Sequence, residues 1–485
     1  MKLLYRRCAG IDVHQKSVSI CVRRRVKGQP NVELEEAVFG TFTQDLERLG
    51  QWLKERKVTQ VAMESTGVYW IPVWNVLEQA KWKLSLLLVN PMTVRALRGQ
   101  KTDRIDARRL AEFLQYGLLQ GSFIPPKPVR QLRDLTRLRA HLQQDRNRVI
   151  NRIGRLLETV NIKLGSVASH IAGKSGRAIL RQLAEGSQDP EKLSQLALGH
   201  LKKKAPDLIL ALDGRPDEHF CWMLTRMLGK LERLDGEVAE LDARLGEQMQ
   251  PYEEVLDRLS TIPGVKKTAA RVLIAELGVD MAEFPSAGHL ASWAGLCPGN
   301  AESAGKRFSG RTRKGDRYVR RVLVQCAWAA SRAEDCFLAA LFQRRAPKLG
   351  PKKAAVAVAH RILVIVWSLL RKGACYQERG GNHFDRLHPE RTARRLLKRL
   401  ERIGVEVRIC RRRGRPPGSK NRKKLLFEQD SGIAPRFPLP DVMPADACRK
   451  CWKAGLAHCI HLIKRKKKTN PPLVLTNSRH PEASL

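Results

Sequence analysis

Four carboxylates near the start of the sequence have the types and spacing to hold divalent cations. Asp12 sits in CAGIDVHQKSVSICV, within a strand built largely of apolar and small residues. Aspartate is disfavoured in strands, and a buried carboxylate is costly unless something compensates it. A metal ion is one such compensation. Glu64 ends the short strand VAMES, just before a Ser-Thr-Gly turn. Asp103 and Asp106 lie in KTDRIDARRLAEF. Their i,i+3 spacing places both on one face of a helix start, where the helix dipole favours anions.

Two Mg²⁺ ions about 3.5–4 Å apart can flank a scissile phosphate, one activating the attacking oxygen and one the leaving oxygen. Mg²⁺ takes oxygen ligands and keeps several waters, so few protein carboxylates suffice. A strand acid, a strand-end acid and two helix acids, in that order, match a ribonuclease-H-like site that breaks or rejoins phosphodiester bonds. Each acid taken alone also reads as a solvated surface residue. The strand setting of Asp12 speaks against that for this residue.

The elements that must position these acids follow from periodicity. Residues 9–24 read as β-rich, 32–42 as a second strand, 44–56 as a helix, 58–63 as a short strand, 72–79 as a helix, 83–89 as a strand and 103–115 as a helix. This is a small α/β domain, residues 1–125, which Pro125, Pro126 and Pro128 bring to an end. Residues 126–255 read as helical. Leu135, Leu142, Val149 and Leu156 are spaced by seven, and so are Leu224, Leu231, Val238 and Leu245. A coiled coil, a long antiparallel hairpin or a plain helical bundle all fit that spacing, and such a seam is a natural oligomerisation device. Residues 256–373 read as a mostly helical domain with Gly-rich loops. Residues 374–485 read as a basic tail, partly disordered.

Composition narrows the partner. Lys plus Arg number 90 against 48 Asp plus Glu, for a formal charge of +42. Such a surplus repels itself unless an anionic partner neutralises it, and nucleic acid is the usual one. The basicity is spread along the chain, which favours several nucleic-acid-facing surfaces over one basic arm. The N-terminus MKLLYRRCAGIDV lacks an apolar core long enough for a signal peptide. The most apolar stretch, 354–370, is interrupted by His360 and Arg361, so no membrane partner is expected. The chain reads as cytoplasmic and nucleoid-associated. Its 11 cysteines, mostly among apolar residues, read as reduced thiols.

Two basic segments of the second half could meet phosphate. In TIPGVKKT a Pro-Gly turn precedes a helix whose free backbone N–H groups, with Lys266 and Lys267, suit a phosphate. It reads as a helix–hairpin–helix element or as an ordinary packing joint. Residues 299–317 combine Gly299, Gly305, Gly310 and Gly315 with Lys306, Arg307, Arg311, Arg313, Lys314 and Arg317. A flexible loop of this kind suits an exposed serine beside a phosphate. A serine hydroxyl needs activation, and no His lies near it in sequence. On the residues alone, Ser303 is equally a loop serine that bonds its own turn.

The tail holds two further motifs. RRRGRPPGSK, residues 411–420, reads as an AT-hook for a narrow A·T minor groove or as a solvated basic linker. Cys448 and Cys451, followed by His458, Cys459 and His461, have the residue types for Zn²⁺. The second half of that set is compressed, so reduced thiols in a mobile tail are the other reading.

GIDVH, AMESTGVYW and NPMTVRALRGQKTDRIDARRLAEFL together resemble the N-terminal RuvC-like domain of the DEDD insertion-sequence transposases, the bacterial family numbered one-ten, known as bridge-RNA-guided recombinases. LSTIPGVKKTAARVLIAELG and FPSAGHLASWAGLCPGNAESAGKRFSGRTRKGDRYVRRVLVQCAWAA resemble that family's C-terminal transposase domain. The resemblance covers roughly residues 8–115 and 256–335, in the family's order. It implies that Asp12, Glu64, Asp103 and Asp106 are metal ligands, with Mg²⁺ as the cofactor and two ions at the site. It implies a serine nucleophile that forms a phosphoserine link to DNA. Ser303 in ESAGKR lines up with the family's Ser-Gly-Gly-Lys, with Ala304 in place of the first Gly, and Ser309 is the fallback. It further implies target and donor DNA as partners, a structured guide (bridge) RNA and a homo-oligomer, dimer or tetramer. Two rival classes stay open: a hydrolytic nuclease of the junction-resolvase type, with water as nucleophile, and a non-enzymatic nucleic-acid-binding protein.

Overall fold

The computed structural model describes residues 3–25, 32–65, 67–91, 103–299, 301–403, 408–410 and 426–428. The side chains of 103–105, 301–303, 306–309, 408–410 and 426–428 lie outside that description. The chain divides into two units, residues 1–384 and 385–485.

The first unit opens with five strands and three helices. In chain order these are β1 (Arg7–Val13), β2 (Val18–Arg25), β3 (Val32–Phe39), α1 (Thr43–Glu55), β4 (Gln60–Glu64), α2 (Trp70–Leu77), β5 (Ser85–Val89) and α3 (Asp103–Gln115). The sheet order is β3-β2-β1-β4-β5. The β1–β2 and β2–β3 pairs are antiparallel, whereas β4 runs parallel to β1 and β5 parallel to β4. The β-rich segment expected at 9–24 is thus a hairpin, closed where the His14 N–H donates to the Ser17 carbonyl at 2.9 Å.

Alternation assigns the two faces of this sheet. Ala9, Ile11 and Val13 point with Val18, Ile20, Val22, Val61, Met63 and Leu88 into a core shared with Leu46, Leu49 and Leu53 of α1 and Val73 and Leu77 of α2. The opposite face carries Cys8, Gly10 and Asp12 of β1 and is covered by α3, through Leu114 over Cys8 and Ala62, and Ala107 and Ala111 over Cys21. The sheet is therefore the middle of three layers.

Next come α4 (Lys127–Thr159), α5 (Lys174–Ala184) and α6 (Glu218–Gln248). Arg139 pairs with Asp242, and Arg146, two turns further along α4, pairs with Asp235, two turns earlier in α6, so the two long helices run antiparallel. Val149, Ile153 and Leu157 of α4 meet Phe220, Leu224, Leu228 and Leu231 of α6, and α5 adds Ile179, Leu180 and Leu183. This is the antiparallel hairpin among the arrangements that heptad spacing allows, thickened by short helices against one end.

The second half of the unit holds α7 (Glu253–Ser260), α8 (Lys267–Leu277), α9 (Ala287–Trp293), β6 (Ala301–Ser303), β7 (Lys306–Ser309), α10 (Arg317–Ala330), α11 (Phe337–Leu349) and α12 (Pro351–Lys372). Helix α12 is long and apolar enough to cross a membrane by length and composition. Here it is the centre of a helical core: Val358, Ala359, Ile362, Leu363 and Val366 are buried in a cluster shared with α7, α9, α10 and α11. Residues 374–384 pack back on that core, where the Tyr376 N–H donates to Thr261 Oγ1 and the Phe337 N–H to Glu378. Of the seven cysteines whose side chains are described, Cys8, Cys21, Cys326 and Cys336 are buried, and all seven are free thiols.

The second unit contains α13 (Pro389–Arg402) and an antiparallel pair, β8 (Arg408–Cys410) with β9 (Leu426–Glu428). The AT-hook-like stretch and Cys448, Cys451, His458, Cys459 and His461 lie outside the described residues.

Candidate active site

Asp12 and Glu64 belong to neighbouring strands. The parallel register pairs Ile11 with Met63, and one step further brings Asp12 alongside Glu64 at the carboxyl ends of β1 and β4. Both share the parity of the α3-covered face. Asp12 is 5% exposed, a burial that sets it apart from an ordinary surface acid.

Helix α3 is held on this face by a very close approach. A Cβ at position 10 would lie 2.2 Å from the Ala107 carbonyl oxygen and 2.4 Å from the Ala111 nitrogen, so only glycine lets the helix backbone rest on β1. At the other end of α3, Arg23 Nε donates to Gln115 Oε1 at 3.0 Å, and the Leu4 N–H donates to the Gln115 carbonyl at 2.9 Å. Gln115 thus lies near the start of β1, and Ala111 and Ala107 over Gly10, so α3 runs antiparallel to β1. From Ala107 back to position 103 the helix rises ~6 Å. From Gly10 to Asp12 the strand advances ~6.8 Å. Position 103 also shares the helical stripe of Ala107 and Leu110. The backbone therefore carries the N-terminal end of α3, with positions 103 and 106, to the Asp12–Glu64 end of the sheet.

Asp12 Oδ2 lies 3.1 Å from His14 Nε2. Sequence reasoning did not single out His14. Its signal was the i,i+2 spacing, which keeps a residue just past the strand on the face of Asp12. Among the described residues, no group of three or more His, Cys, Asp or Glu side chains is gathered closely enough to hold a metal ion. The chemistry of the acids, all oxygen donors with one buried, fits a hard cation such as Mg²⁺. The thiols beneath α3 have a different character. Burial pushes Cys8 up to about 12 and Cys21 up to about 11, so both are inert packing groups.

The serine segment, expected as a flexible loop, is a β-hairpin. Ser303 pairs with Lys306 across a two-residue turn, and Ala301 with Ser309 at the base. Ala304 and Gly305 have φ of 49° and 73°. Positive φ at both central residues is the type I′ signature, which matches the twist of the flanking strands. Ser303 thus borders the turn and Ser309 ends the second strand. Below the hairpin, the Gly299 N–H donates to the Arg311 carbonyl at 2.7 Å.

The hairpin leads directly into α10, whose N-cap Asp316 accepts from the backbone of Tyr318 and Val319. Asp316 also lies 3.4 Å from Arg137 of α4. Arg137 and Arg133 converge on Glu276 of α8, a fully buried carboxylate, at 2.8 and 3.0 Å. Burial pushes Glu276 above the usual carboxylate range, and the two guanidiniums work against that rise. This node ties the long helix to the base of the serine hairpin. Sequence reading missed it, although Glu276 stands out as the single acid in KTAARVLIAEL.

The expected nucleic-acid contacts divide. Lys266 is the exposed N-cap of α8. Lys267 is exposed but pairs with Glu253 at 2.7 Å. The turn before them needs Gly264, at φ 84°, because a Cβ there would sit 2.4 Å from the Cys326 carbonyl oxygen of α10. Arg311, Arg313 and Lys314 are exposed on the strip below the hairpin. The side chains of Lys306 and Arg307 lie outside the described residues.

An antiparallel β1–β2–β3 meander extended by two parallel strands, with acids at adjacent strand ends beneath a helix, defines the ribonuclease-H-like class of folds. Comparison with known proteins is more specific. A family model of the DEDD type, described as "Transposase", matches residues 9–162, and one described as "Transposase IS116/IS110/IS902 family" matches residues 256–341. A "Probable family 20 transposase" of Pseudomonas aeruginosa is 26% identical over 330 residues, covering 65% of this chain and 85% of that protein. A "Transposase for insertion sequence element IS1111A" of Coxiella burnetii is 25% identical over 301 residues, covering 60% and 72%. The Thermus thermophilus RuvC structure aligns with 24% of this chain and 99% of its own at 16% identity, with a TM-score of 0.19 that is too low to bear on the fold. The chain is thus similar to transposases of the IS110/IS116 family over residues 9–162 and 256–341.

Proposed function

We propose that the protein is an RNA-guided DNA transposase or recombinase that cuts and rejoins strands through a phosphoserine. The observation that carries this reading is that Asp12, Glu64 and the N-terminal end of α3, which begins at Asp103, lie at the carboxyl ends of β1 and β4 in a chain that matches the DEDD transposase model. Asp12, Glu64, Asp103 and Asp106 would hold two Mg²⁺ ions, which supply charge stabilisation at the phosphate and activation of the attacking oxygen. The Ser303 hydroxyl would lose its proton and attack the DNA phosphorus. One P–O ester bond forms to Ser303 Oγ, one P–O bond to the neighbouring deoxyribose breaks, and the departing deoxyribose oxygen takes up a proton through solvent to leave as a hydroxyl, matching the one the serine gave up. The phosphoserine conserves the energy of the diester for rejoining to a second strand.

Ser303 stands on a hairpin built on the helical core, while the acids stand on the sheet. A composite site, with the serine of one subunit serving the carboxylates of another, accommodates that separation and implies a dimer or tetramer. The exposed cations Lys266, Arg311, Arg313 and Lys314 would hold phosphates near the hairpin. Guidance by a structured RNA rests on the family resemblance.

The test is incubation with target and donor DNA, guide RNA and Mg²⁺, followed by a denaturing gel. A covalent protein–DNA adduct is expected, absent from Ser303→Ala and from Asp12→Asn. Cleavage without an adduct, unchanged in Ser303→Ala, would instead establish water as the nucleophile. Binding with no Mg²⁺-dependent cleavage would establish a non-enzymatic binder.

A further inference from the structure

Helix α13 (Pro389–Arg402) lies beyond both regions matched by the family models, which end at residue 341. Its sequence, PERTARRLLKRLER, separates into two faces. Arg391, Arg394, Arg395, Lys398, Arg399 and Arg402 line one groove, and all six are exposed. At 3.6 residues per turn they fall within an arc of about 140°, while Glu390 and Glu401 fall outside it. The far side carries Ala393, Leu396, Leu397, Leu400 and Ile403. Arg395 lies 3.7 Å from Asp385, a loose and exposed pair. Among the described residues no other cation of the stripe has an ion-pair partner, so five of the six keep their charge uncompensated.

An uninterrupted row of like charges on one helix face is self-repelling. Side-chain repulsion at i,i+3 and i,i+4 opposes the helix itself. A polyanion of matching spacing removes that penalty. From Arg391 to Arg402 the helix spans ~16 Å. A DNA duplex carries one charge per ~1.7 Å of its axis, so about ten phosphates accompany that length. Guanidiniums fork onto phosphate oxygens in two-pronged fashion, and five of the six cations are arginines.

We infer that α13 is a second DNA-binding element, a sequence-independent grip on the phosphate backbone of duplex DNA, separate from the strand-cutting site. Its cations would be engaged by phosphates along the row, and its small or aliphatic far face offers no Asn or Gln to read adenine, so a sequence-independent grip is expected and the scrambled duplex below tests it. The choice of DNA rests on the family's substrate, but the inference does not depend on the carboxylates or on Ser303.

The test measures duplex binding by the full chain in EDTA, so that cleavage plays no part. A duplex of arbitrary sequence is titrated across a range of salt concentrations, without guide RNA. A variant carrying Arg394→Gln, Arg395→Gln, Lys398→Gln and Arg399→Gln should bind more weakly. The slope of log K against log salt should fall in magnitude by about 3 to 4, or ~0.9 for each phosphate contact removed. Replacing the three arginines by lysine should preserve most of that slope, which loss of helix structure would not do. A scrambled duplex should bind the wild type equally. An unchanged slope in the Gln variant would overturn the inference, as would a loss confined to duplex RNA or to anionic lipid vesicles. Because binding is read without turnover, failure of strand cleavage elsewhere leaves this result standing on its own.

Discussion

Gly10→Ala addresses the contact that sets the candidate site. The added methyl would lie 2.2 Å from the Ala107 carbonyl oxygen and 2.4 Å from the Ala111 nitrogen, both backbone atoms that cannot rotate away. Real Cβ contacts essentially never fall below 3.0 Å, so α3 must retreat from β1. The retreat is on the order of 1 Å, and overpacking of this kind costs about 1–3 kcal/mol. The far end of α3 stays clamped by Arg23 and Gln115, so the displacement concentrates where the helix begins, at Asp103. Mg²⁺ demands near-ideal octahedral geometry at about 2.0–2.1 Å. A misplacement of ~1 Å at a reacting centre costs on the order of 100-fold in rate. Two measurements separate the effects: urea denaturation for stability, and Mg²⁺-dependent strand cleavage at a temperature where the variant is fully folded. The expected result is a folded protein, modestly destabilised, that cleaves about 100-fold more slowly. A folded variant with wild-type cleavage would refute the reasoning, because the carboxylates would then not depend on how α3 seats on β1.

Three further outcomes follow from particular contacts. Ala304→Gly removes a side chain from a left-handed position, worth ~1 kcal/mol locally; hydrogen exchange at the hairpin amides should slow about fivefold, and faster exchange would contradict the turn assignment. Glu276→Ala strands the guanidiniums of Arg133 and Arg137 and should cost about 3–5 kcal/mol in urea denaturation, against less for Glu276→Gln; a loss under about 1 kcal/mol would show that the node carries little. Burial works to raise Asp235, but Arg146 and Arg177, at 2.6 and 2.5 Å, outweigh it and hold the carboxyl below its ordinary 3.8. Its contribution is therefore present above pH 3.8 and lost as pH falls through the lower folded value. The stability gap between wild type and Asp235→Asn should be open at pH 7 and shrink on acidification below that value, and a gap independent of pH would refute the assignment.

What the sequence made legible was what local pattern encodes. Helix α3 was expected at 103–115 and is observed there, because its apolar residues recur at helical spacing over one sheet face. Asp12 was singled out as a costly acid in an apolar strand, and it is buried. The strand segment at 9–24 was legible as β but not as a hairpin, since the turn after His14 has no Gly or Pro to mark it. The pair of residues Ala304 and Gly305 carried a turn signal, but the basic residues around them read equally as a loop. Glu276 with Arg133 and Arg137 was illegible because its partners stand far apart in the chain, and only tertiary packing of α4 on α8 brings them together.

The most direct measurement is the site of attachment. The covalent species formed with DNA, guide RNA and Mg²⁺ would be digested with protease and nuclease and mapped by tandem mass spectrometry. The expected result is a nucleotide remnant on Ser303, lost in Asp12→Asn and in EDTA. A remnant on Ser309 or on any other residue, or efficient strand cleavage that leaves none, would contradict the composite carboxylate–serine site.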